Sequence, residues 1–274
     1  MNKTIIFSLF FALTFTACTK KPSDSFFLEN QNSSKKEYES FRKNIALEFK
    51  NQTPKQWGEN VTGVKTKFDT NEKVIALTLD ACGSTHGMGY DKKLIDFLKQ
   101  ENIPATLFIN ARWINNNLNT FKTLASNPLF EIANHGLEHK PASVNGRAIY
   151  GLDGSKNVEE LVDEIELNAR KIEQITNKRP RYFRSGTAYY DEVAVKVANR
   201  LNHEVIGFSI LGDGGATFSK EKVTNAFLKA KNGEIVILHM NHPQSQTANG
   251  TIKAIKELKQ KGFKFVRLSD YKLK

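Results

Sequence analysis

The chain has 274 residues, of which 39% are hydrophobic and 25% are charged, a composition that is ordinary for a soluble globular protein. Its formal net charge of +11 would attract polyanions such as nucleic acid, anionic lipid or acidic cell-wall polymer. The Lys and Arg residues are scattered, with no block of five, so this charge favours an ordinary solvated surface and argues against a dedicated polyanion-binding tract.

The N-terminus, residues 1–17, has the pattern of a lipoprotein signal peptide. A short basic start precedes an apolar run that ends just before Cys18. This run is too short for a permanent membrane span, which needs about 20 residues. The stretch resembles a bacterial lipobox, although Phe15 stands where Leu is usual. We therefore expect an exported protein of the bacterial cell envelope, held on a membrane by lipidated Cys18; the alternative is ordinary secretion with Cys18 incidental.

Three regions follow the signal peptide. Residues 18–34 are rich in Ser, Asn and Lys and predict a flexible tether. Residues 35–72 predict an N-terminal helical extension, because apolar residues recur at helical spacing in its first part. Residues 73–274 predict one further domain. Export argues against nucleic acid as a partner.

Apolar strands and amphipathic helices alternate through the last domain. Strands are predicted at 74–79, 105–109, 130–133, 182–184, 205–210, 235–238 and 265–268. Helices are predicted at 92–100, 119–126, 158–176, 191–201, 222–230 and 251–261. This alternation predicts parallel strands with outer helices, and about seven such units favour an irregular (β/α) barrel over an open sheet.

Polar residues stand at the predicted strand ends, where barrels of this kind gather their chemistry. These residues are Asp80, His135, Arg184 and His239. Asp80 follows an apolar run, so it either faces the mouth of the barrel or caps the next helix. His135 and His139 lie four residues apart, which would place both imidazoles on one side of a helical turn, where they could bind one metal ion.

Two further residues extend this group. Asp213 follows the preceding strand unit and could hold His239 in one tautomer and raise its pKa, which would suit a general acid. Cys82 is the only cysteine besides Cys18, so a mature chain acylated at Cys18 has no intramolecular disulfide. It lies two residues after Asp80 and could face the same site, either as a thiolate ligand or as a small packing residue.

These motifs resemble carbohydrate esterase family 4, the NodB-homology polysaccharide deacetylases. Five motifs occur in the family's order: Thr78-Leu-Asp80, Glu131 to His139, Phe183-Arg184, Gly212-Asp213 and Leu238-His239. The resemblance covers about residues 73–270 and implies a distorted (β/α) barrel. Three positions depart from the pattern. Ala81 and Cys82 stand where a second aspartate is usual, no proline follows Arg184, and Gly214 stands where tryptophan is usual.

The resemblance implies roles for these residues. A divalent metal, most simply zinc, would be bound by His135 and His139 with Cys82 or Asp80, and Asp80 would act as base, oriented by Arg184. His239, supported by Asp213, would be the acid. Sugar-stacking candidates are Trp113, Tyr189 and Tyr190.

The implied activity is hydrolysis of a carbon–nitrogen bond other than a peptide bond. The substrate would be an N-acetylated, or alternatively O-acetylated, envelope or extracellular polysaccharide, with peptidoglycan amino sugar favoured. A catalytically silent sugar-binding lipoprotein and a metal-independent amidohydrolase of a small molecule are the alternatives. The missing second aspartate is the main argument for the silent form.

Overall fold

The computed structural model describes residues 24–274, with side chains from residue 34 onward. The predicted signal peptide and Cys18 therefore lie outside the described residues. The chain divides into two compact units after Phe41, and the described part of the first unit is helical. The second unit, Arg42–Lys274, contains the sheet. None of the described helices is long and apolar enough to span a membrane.

Helices and strands alternate along the chain after the first helix. The helices are α1 (Asp24–Phe49), α2 (Lys92–Gln100), α3 (Ala111–Asn116), α4 (Leu118–Ala125), α5 (Val158–Thr176), α6 (Glu192–Arg200), α7 (Lys220–Leu228) and α8 (Thr247–Gln260). The strands are β1 (Val74–Ala81), β2 (Ala105–Ile109), β3 (Phe130–Asn134), β4 (Tyr182–Phe183), β5 (Glu204–Val205), β6 (Ile210–Leu211), β7 (Glu234–His239) and β8 (Lys264–Val266). A 3-10 turn follows at Leu268–Asp270.

The sheet is parallel throughout, in the order β5-β4-β3-β2-β1-β7-β6, and β8 pairs with the first part of β1. No ladder joins β5 to β6 in this part of the chain, so the barrel is open on one side. The predicted strand 205–210 is therefore wrong: Val205 pairs with β4 and Ile210 with β7, on opposite edges of the sheet. The residues between them cross the opening.

The alternation of side chains along β1 explains how an apolar barrel acquires a polar mouth. Ile75, Leu77 and Leu79 pack outward against the helices. Val74 and Ala76 face inward with Phe108 and Tyr182. Thr78 and Asp80 have the same parity as these inward residues and are fully buried. Inward-facing residues of β1 therefore become polar toward its C-terminal end.

The segment before β1 does not continue as a helix. α1 begins at Asp24, within the predicted tether, and ends at Phe49. The following residues form isolated bridges, among them Gly58 with Tyr190 and Lys65 with Ile206. Helical structure thus covers only part of the predicted extension 35–72, and the rest runs along the open side of the barrel.

Candidate active site

The first half of the site is a buried ion pair at the end of β1. Arg184, directly after β4, donates from Nη1 to Asp80 Oδ1 at 2.8 Å. Its Nε and Nη2 donate to the carbonyls of Ile206 and Gly207, and its guanidinium lies 4.2 Å from the centre of the Phe108 ring. The guanidinium is fully buried and hydrogen-bonded on three sides, so it fixes the direction of the Asp80 carboxylate.

The second half of the site is a cluster of three possible metal ligands. Ligand atoms of Cys82, His135 and His139 all lie within 4.8 Å of one another. Cys82 Sγ is 3.7 Å from His135 Nε2, and Asp80 Oδ2 is 3.6 Å from the same nitrogen. The structure thus brings the two predicted histidines together with Cys82, and it places Asp80 beside them with its other oxygen bound to Arg184.

The two histidines meet through a loop, which corrects the predicted helical turn. Residues 135–139 are not helical; Gly136 has φ +78° and His139 has φ +64°. The imidazole centroids are 4.9 Å apart and nearly perpendicular. Nδ1 of His135 lies 2.9 Å from the carbonyl oxygen of Arg184, so it donates there and Nε2 remains available.

Glu164 of α5 holds this loop from beneath. Its carboxylate accepts from the backbone N–H groups of Glu138 and Lys140, at 2.9 and 3.1 Å. Its own carbonyl accepts from Leu137 N. A Cβ at Gly136 would collide with the Glu164 carboxylate. The loop can therefore reach the Glu164 carboxylate only with glycine at position 136. The sequence pattern does not reveal Glu164 as part of the site, because it lies on a different element.

The acid pair predicted at the end of β7 is formed. Asp213 Oδ1 lies 2.9 Å from His239 Nδ1, and Asp213 Oδ2 accepts from His239 N and from Thr247 Oγ1. Burial by itself would lower the pKa of His239, but the charge and hydrogen bond of Asp213 raise that pKa well above its ordinary value. In register, His239 is the direct neighbour of Asp80 across the β1–β7 ladder.

The Cys82 thiol has an environment that favours thiolate. Burial alone would raise its pKa. The charge of His139, with hydrogen bonds to His135, His139 and His239, instead holds the pKa of Cys82 well below its ordinary value. A thiolate surrounded by imidazoles is the ligand set that zinc prefers.

A cavity of about 450 Å³ opens onto these groups and is lined by Asp80, His139 and His239. A larger depression of about 770 Å³ beside α7 contains none of the motif residues, so the smaller cavity is the candidate site. Where the resemblance expects tryptophan, Gly214 leaves room for the ring of Phe218, which a Cβ at that glycine would strike. Phe218 and Phe208 supply apolar lining to the cavity.

The predicted sugar-stacking residues need correction. Trp113 is fully buried and donates from Nε1 to the carbonyl of Gly89. Tyr190 is fully buried and its hydroxyl donates to Ile206 O. Neither ring can contact a sugar, because both are buried in the core. The residue type alone does not reveal this burial. Tyr189 is half-buried, with its ring between those of Trp57 and Tyr150.

Sequence reasoning also missed two residues that line the cavity, Glu59 and Tyr150. Each comes from a loop that carries no recognisable motif. The other site residues can be recognised because each follows an apolar strand or belongs to a motif. Glu59 and Tyr150 have no comparable local signal in the sequence.

The polysaccharide deacetylase family matches residues 67–206, half of the chain, and the chain belongs to this family of hydrolases that act on carbon–nitrogen bonds other than peptide bonds. A peptidoglycan-N-acetylglucosamine deacetylase of Bacillus cereus is 29% identical over 214 residues, which cover 76% of this chain and 93% of that protein.

Solved structures share the fold. A carbohydrate esterase family 4 pseudoenzyme from Bacillus anthracis has a TM-score of 0.63 at 23% identity, covering 78% of this chain and 70% of that one. A family 4 carbohydrate esterase from Bacillus subtilis has a TM-score of 0.62 at 23% identity, covering 76% of this chain and 84% of that one. The expected distorted (β/α) barrel of the NodB-homology type is confirmed.

Proposed function

We propose that this protein is a metal-dependent deacetylase that removes N-acetyl groups from the amino sugars of peptidoglycan. The observation that carries the proposal is the cluster of Cys82, His135 and His139, of which His139 lines a cavity together with Asp80 and His239. The similarity to a peptidoglycan-N-acetylglucosamine deacetylase supports the choice of substrate.

The residues present fit a divalent metal, and a Cys-His-His donor set suits zinc best. Nε2 of His139 is buried and has no hydrogen-bond partner among the described residues, which is costly unless a ligand occupies that direction. Cys82, His135 and His139 would hold the ion. When bound, such an ion polarises the acyl carbonyl and lowers the pKa of water.

Asp80 is the proposed base. One of its oxygens is bound to Arg184, so the other is free to accept the proton of the attacking water. The Arg184 guanidinium fixes the direction of the carboxylate. Burial of both side chains strengthens the interaction relative to an exposed pair.

His239 is the proposed acid. Its Nδ1 donates to Asp213, which leaves the second ring nitrogen to give a proton to the departing amine nitrogen. The raised pKa of His239 favours the protonated ring that a general acid requires. Breaking the amide then yields acetate and a free amino sugar, with base and acid on neighbouring strands.

The substrate class is tested by measuring acetate release from purified glycans. The panel contains peptidoglycan, N-acetylglucosamine oligomers and acetylated xylan, the last being an ester substrate. Preferred release from peptidoglycan supports the proposal, and release from xylan alone would contradict it.

A catalytically silent sugar-binding protein is the second candidate, favoured by the absence of a second aspartate at Ala81 and by the pseudoenzyme among the structural neighbours. Binding of peptidoglycan without acetate release in the presence of added zinc would select it. Acetate release would exclude it.

We also propose that Cys18 is lipidated and anchors the protein in the bacterial cell envelope. The support is the sequence alone: the apolar run, the lipobox-like residues and the polar segment that follows. Cys18→Ala should move the protein from the membrane fraction to the soluble fraction. Retention of that variant on salt-washed membranes would contradict the anchor.

A further inference from the structure

The exposed apolar side chains of the described residues are concentrated at one opening. The large hydrophobic residues with substantial exposure are Leu47, Leu118, Tyr150, Leu152 and Leu211. Three of them, Tyr150, Leu152 and Leu211, line the catalytic cavity. Exposure of apolar surface to water is unfavourable, so the grouping of these side chains around one cavity indicates a surface that a ligand covers.

A tight hairpin holds Tyr150 at the cavity mouth. The backbones of Ile149 and Leu152 exchange hydrogen bonds in both directions, at 3.1 and 2.9 Å. The two residues between them have positive φ, +55° at Tyr150 and +74° at Gly151, as a two-residue hairpin of the primed type requires. That conformation is unfavourable for tyrosine, yet Tyr150 stands there with 70% of its surface exposed.

Aromatic side chains support the Tyr150 ring from one side. Its centroid is 5.6 Å from that of Tyr189, with the planes nearly perpendicular. Tyr189 in turn packs against Trp57 at 5.9 Å, and the Arg147 guanidinium lies 5.3 Å from the Trp57 ring centre. Tyr150 is therefore the exposed end of an ordered aromatic stack, and much of its surface remains open to a ligand.

A carboxylate with no side-chain partner among the described residues lines the same cavity. Glu59 comes from the segment along the open side of the barrel. Burial raises the pKa of the Glu59 carboxyl, and no described side chain pairs with it although the protein carries a net charge of +11. The charge of Glu59 is also near enough to raise the pKa of the Tyr150 phenol, after the larger effects of Tyr189 and burial.

We propose that Tyr150 and Glu59 form a subsite for a second pyranose ring of the glycan, adjacent to the sugar that loses its acetyl group; the inference rests on the proposed function. A pyranose ring has an apolar C–H face and a rim of hydroxyl groups. The face would pack on the Tyr150 ring, and a hydroxyl would donate to the Glu59 carboxylate in a charge-assisted hydrogen bond.

Glu59 lies outside the region matched by the family, whereas Tyr150 lies within it. The family match begins at residue 67, so Glu59 belongs to the segment that precedes it. Asp80 and His239 lie in strands, and His139 lies on the loop after β3, whereas Glu59 and Tyr150 come from loops that carry no family motif. Loops can vary while the chemistry is retained, and such a subsite would set a preference for oligomers over single sugars.

The test measures binding in a His239→Ala background, where hydrolysis does not interfere. N-acetylglucosamine and its tetrasaccharide are titrated into the full chain and followed by NMR. Tyr150→Ala and Glu59→Gln should each weaken tetrasaccharide binding about tenfold, equivalent to roughly 1.4 kcal/mol, and leave the monosaccharide affinity unchanged. Tyr150→Phe should retain most of the affinity because the aromatic face remains.

Matched controls are Leu118→Ala, an exposed apolar residue elsewhere, and Glu257→Gln, a partly exposed glutamate on α8. Both should bind like the background protein. Unchanged tetrasaccharide affinity in Tyr150→Ala and Glu59→Gln overturns the subsite, as does an equal loss for both sugars or no binding of the tetrasaccharide at all. Acetate release by the unmodified protein is measured separately, so its failure would count against the proposed function alone.

Discussion

In the proposed mechanism, Cys82 and Asp80 divide between them the tasks that two adjacent aspartates perform in the motif this chain resembles. Both residues have inward parity at the end of β1, because one residue separates them. Asp80 is bound by Arg184, and Cys82 lies with the two histidines. The inserted Ala81 is buried on the opposite side, within the core beneath the helices. These positions favour a thiolate ligand and a carboxylate base.

Substitution of these two residues separates the roles. Cys82→Ser should reduce zinc affinity by more than the roughly 10–100-fold expected for loss of an outer-shell partner. Asp80→Asn should retain zinc and lose acetate release. Zinc content is measured by elemental analysis after dialysis. Normal zinc in Cys82→Ser would exclude the ligand role, and zinc lost only in Asp80→Asn would make Asp80 the ligand.

At the scale of elements, α5 determines where the second histidine lies. Buried polar side chains anchor the loop that follows β3, since Asn110 Nδ2 donates to the carbonyls of His135 and Gly136 and Glu164 accepts from two of its N–H groups. The loop therefore has a single defined path despite its lack of regular structure. This rigidity orients His139, whose positive φ would be unfavourable without support.

Glu164→Ala should expose the importance of this support. The variant removes the acceptor of two partly buried N–H groups and should lose about 2 kcal/mol of the free energy of unfolding. Its zinc affinity should fall about tenfold or more. Glu164→Gln, which keeps one carbonyl oxygen, should show smaller losses, and Glu173→Ala on the exposed side of α5 is the control. Wild-type zinc affinity in a folded Glu164→Ala protein would contradict the supporting role.

The spacing of apolar residues predicts most helices and strands, because this periodicity is a local property of the sequence and does not depend on distant contacts. Helices 92–100 and 158–176 were predicted at their observed limits. Predicted strand 205–210 failed because Gly207, bound by Lys65 and Arg184, belongs to the crossing between two sheet edges. The motifs predicted which residues the fold brings together, namely His135 with His139 and Asp213 with His239; their roles as ligands and acid remain predictions. Pattern could not reveal Glu59, Tyr150 or Glu164, since their roles depend on long-range folding.

For the whole molecule, a buried histidine predicts sensitivity to acid. Burial, with a smaller contribution from the charge of Arg179, lowers the pKa of His203 to about 3. Neither ring nitrogen has a hydrogen-bond partner in the described chain. Above pH 6.5, the ordinary value, His203 is neutral in the folded and unfolded states alike and has no effect on stability.

As pH falls from 6.5 toward 3, the unfolded chain binds a proton that the folded chain excludes. His203 should therefore remove about 1.4 kcal/mol of stability per pH unit in that range. His203→Leu should flatten the acid side of a plot of unfolding free energy against pH, whereas His86→Gln, at an exposed loop position, should not. An unchanged slope in His203→Leu would rule out this contribution.

The most direct test of metal-dependent deacetylation is acetate release from peptidoglycan by one preparation in three states: as purified, after chelation and dialysis, and after zinc is returned. Acetate release is expected in the first state, loss of release in the second and recovery in the third. A double His135→Ala, His139→Ala variant should remain inactive in all three. Acetate release that persists unchanged after verified metal removal would contradict the account.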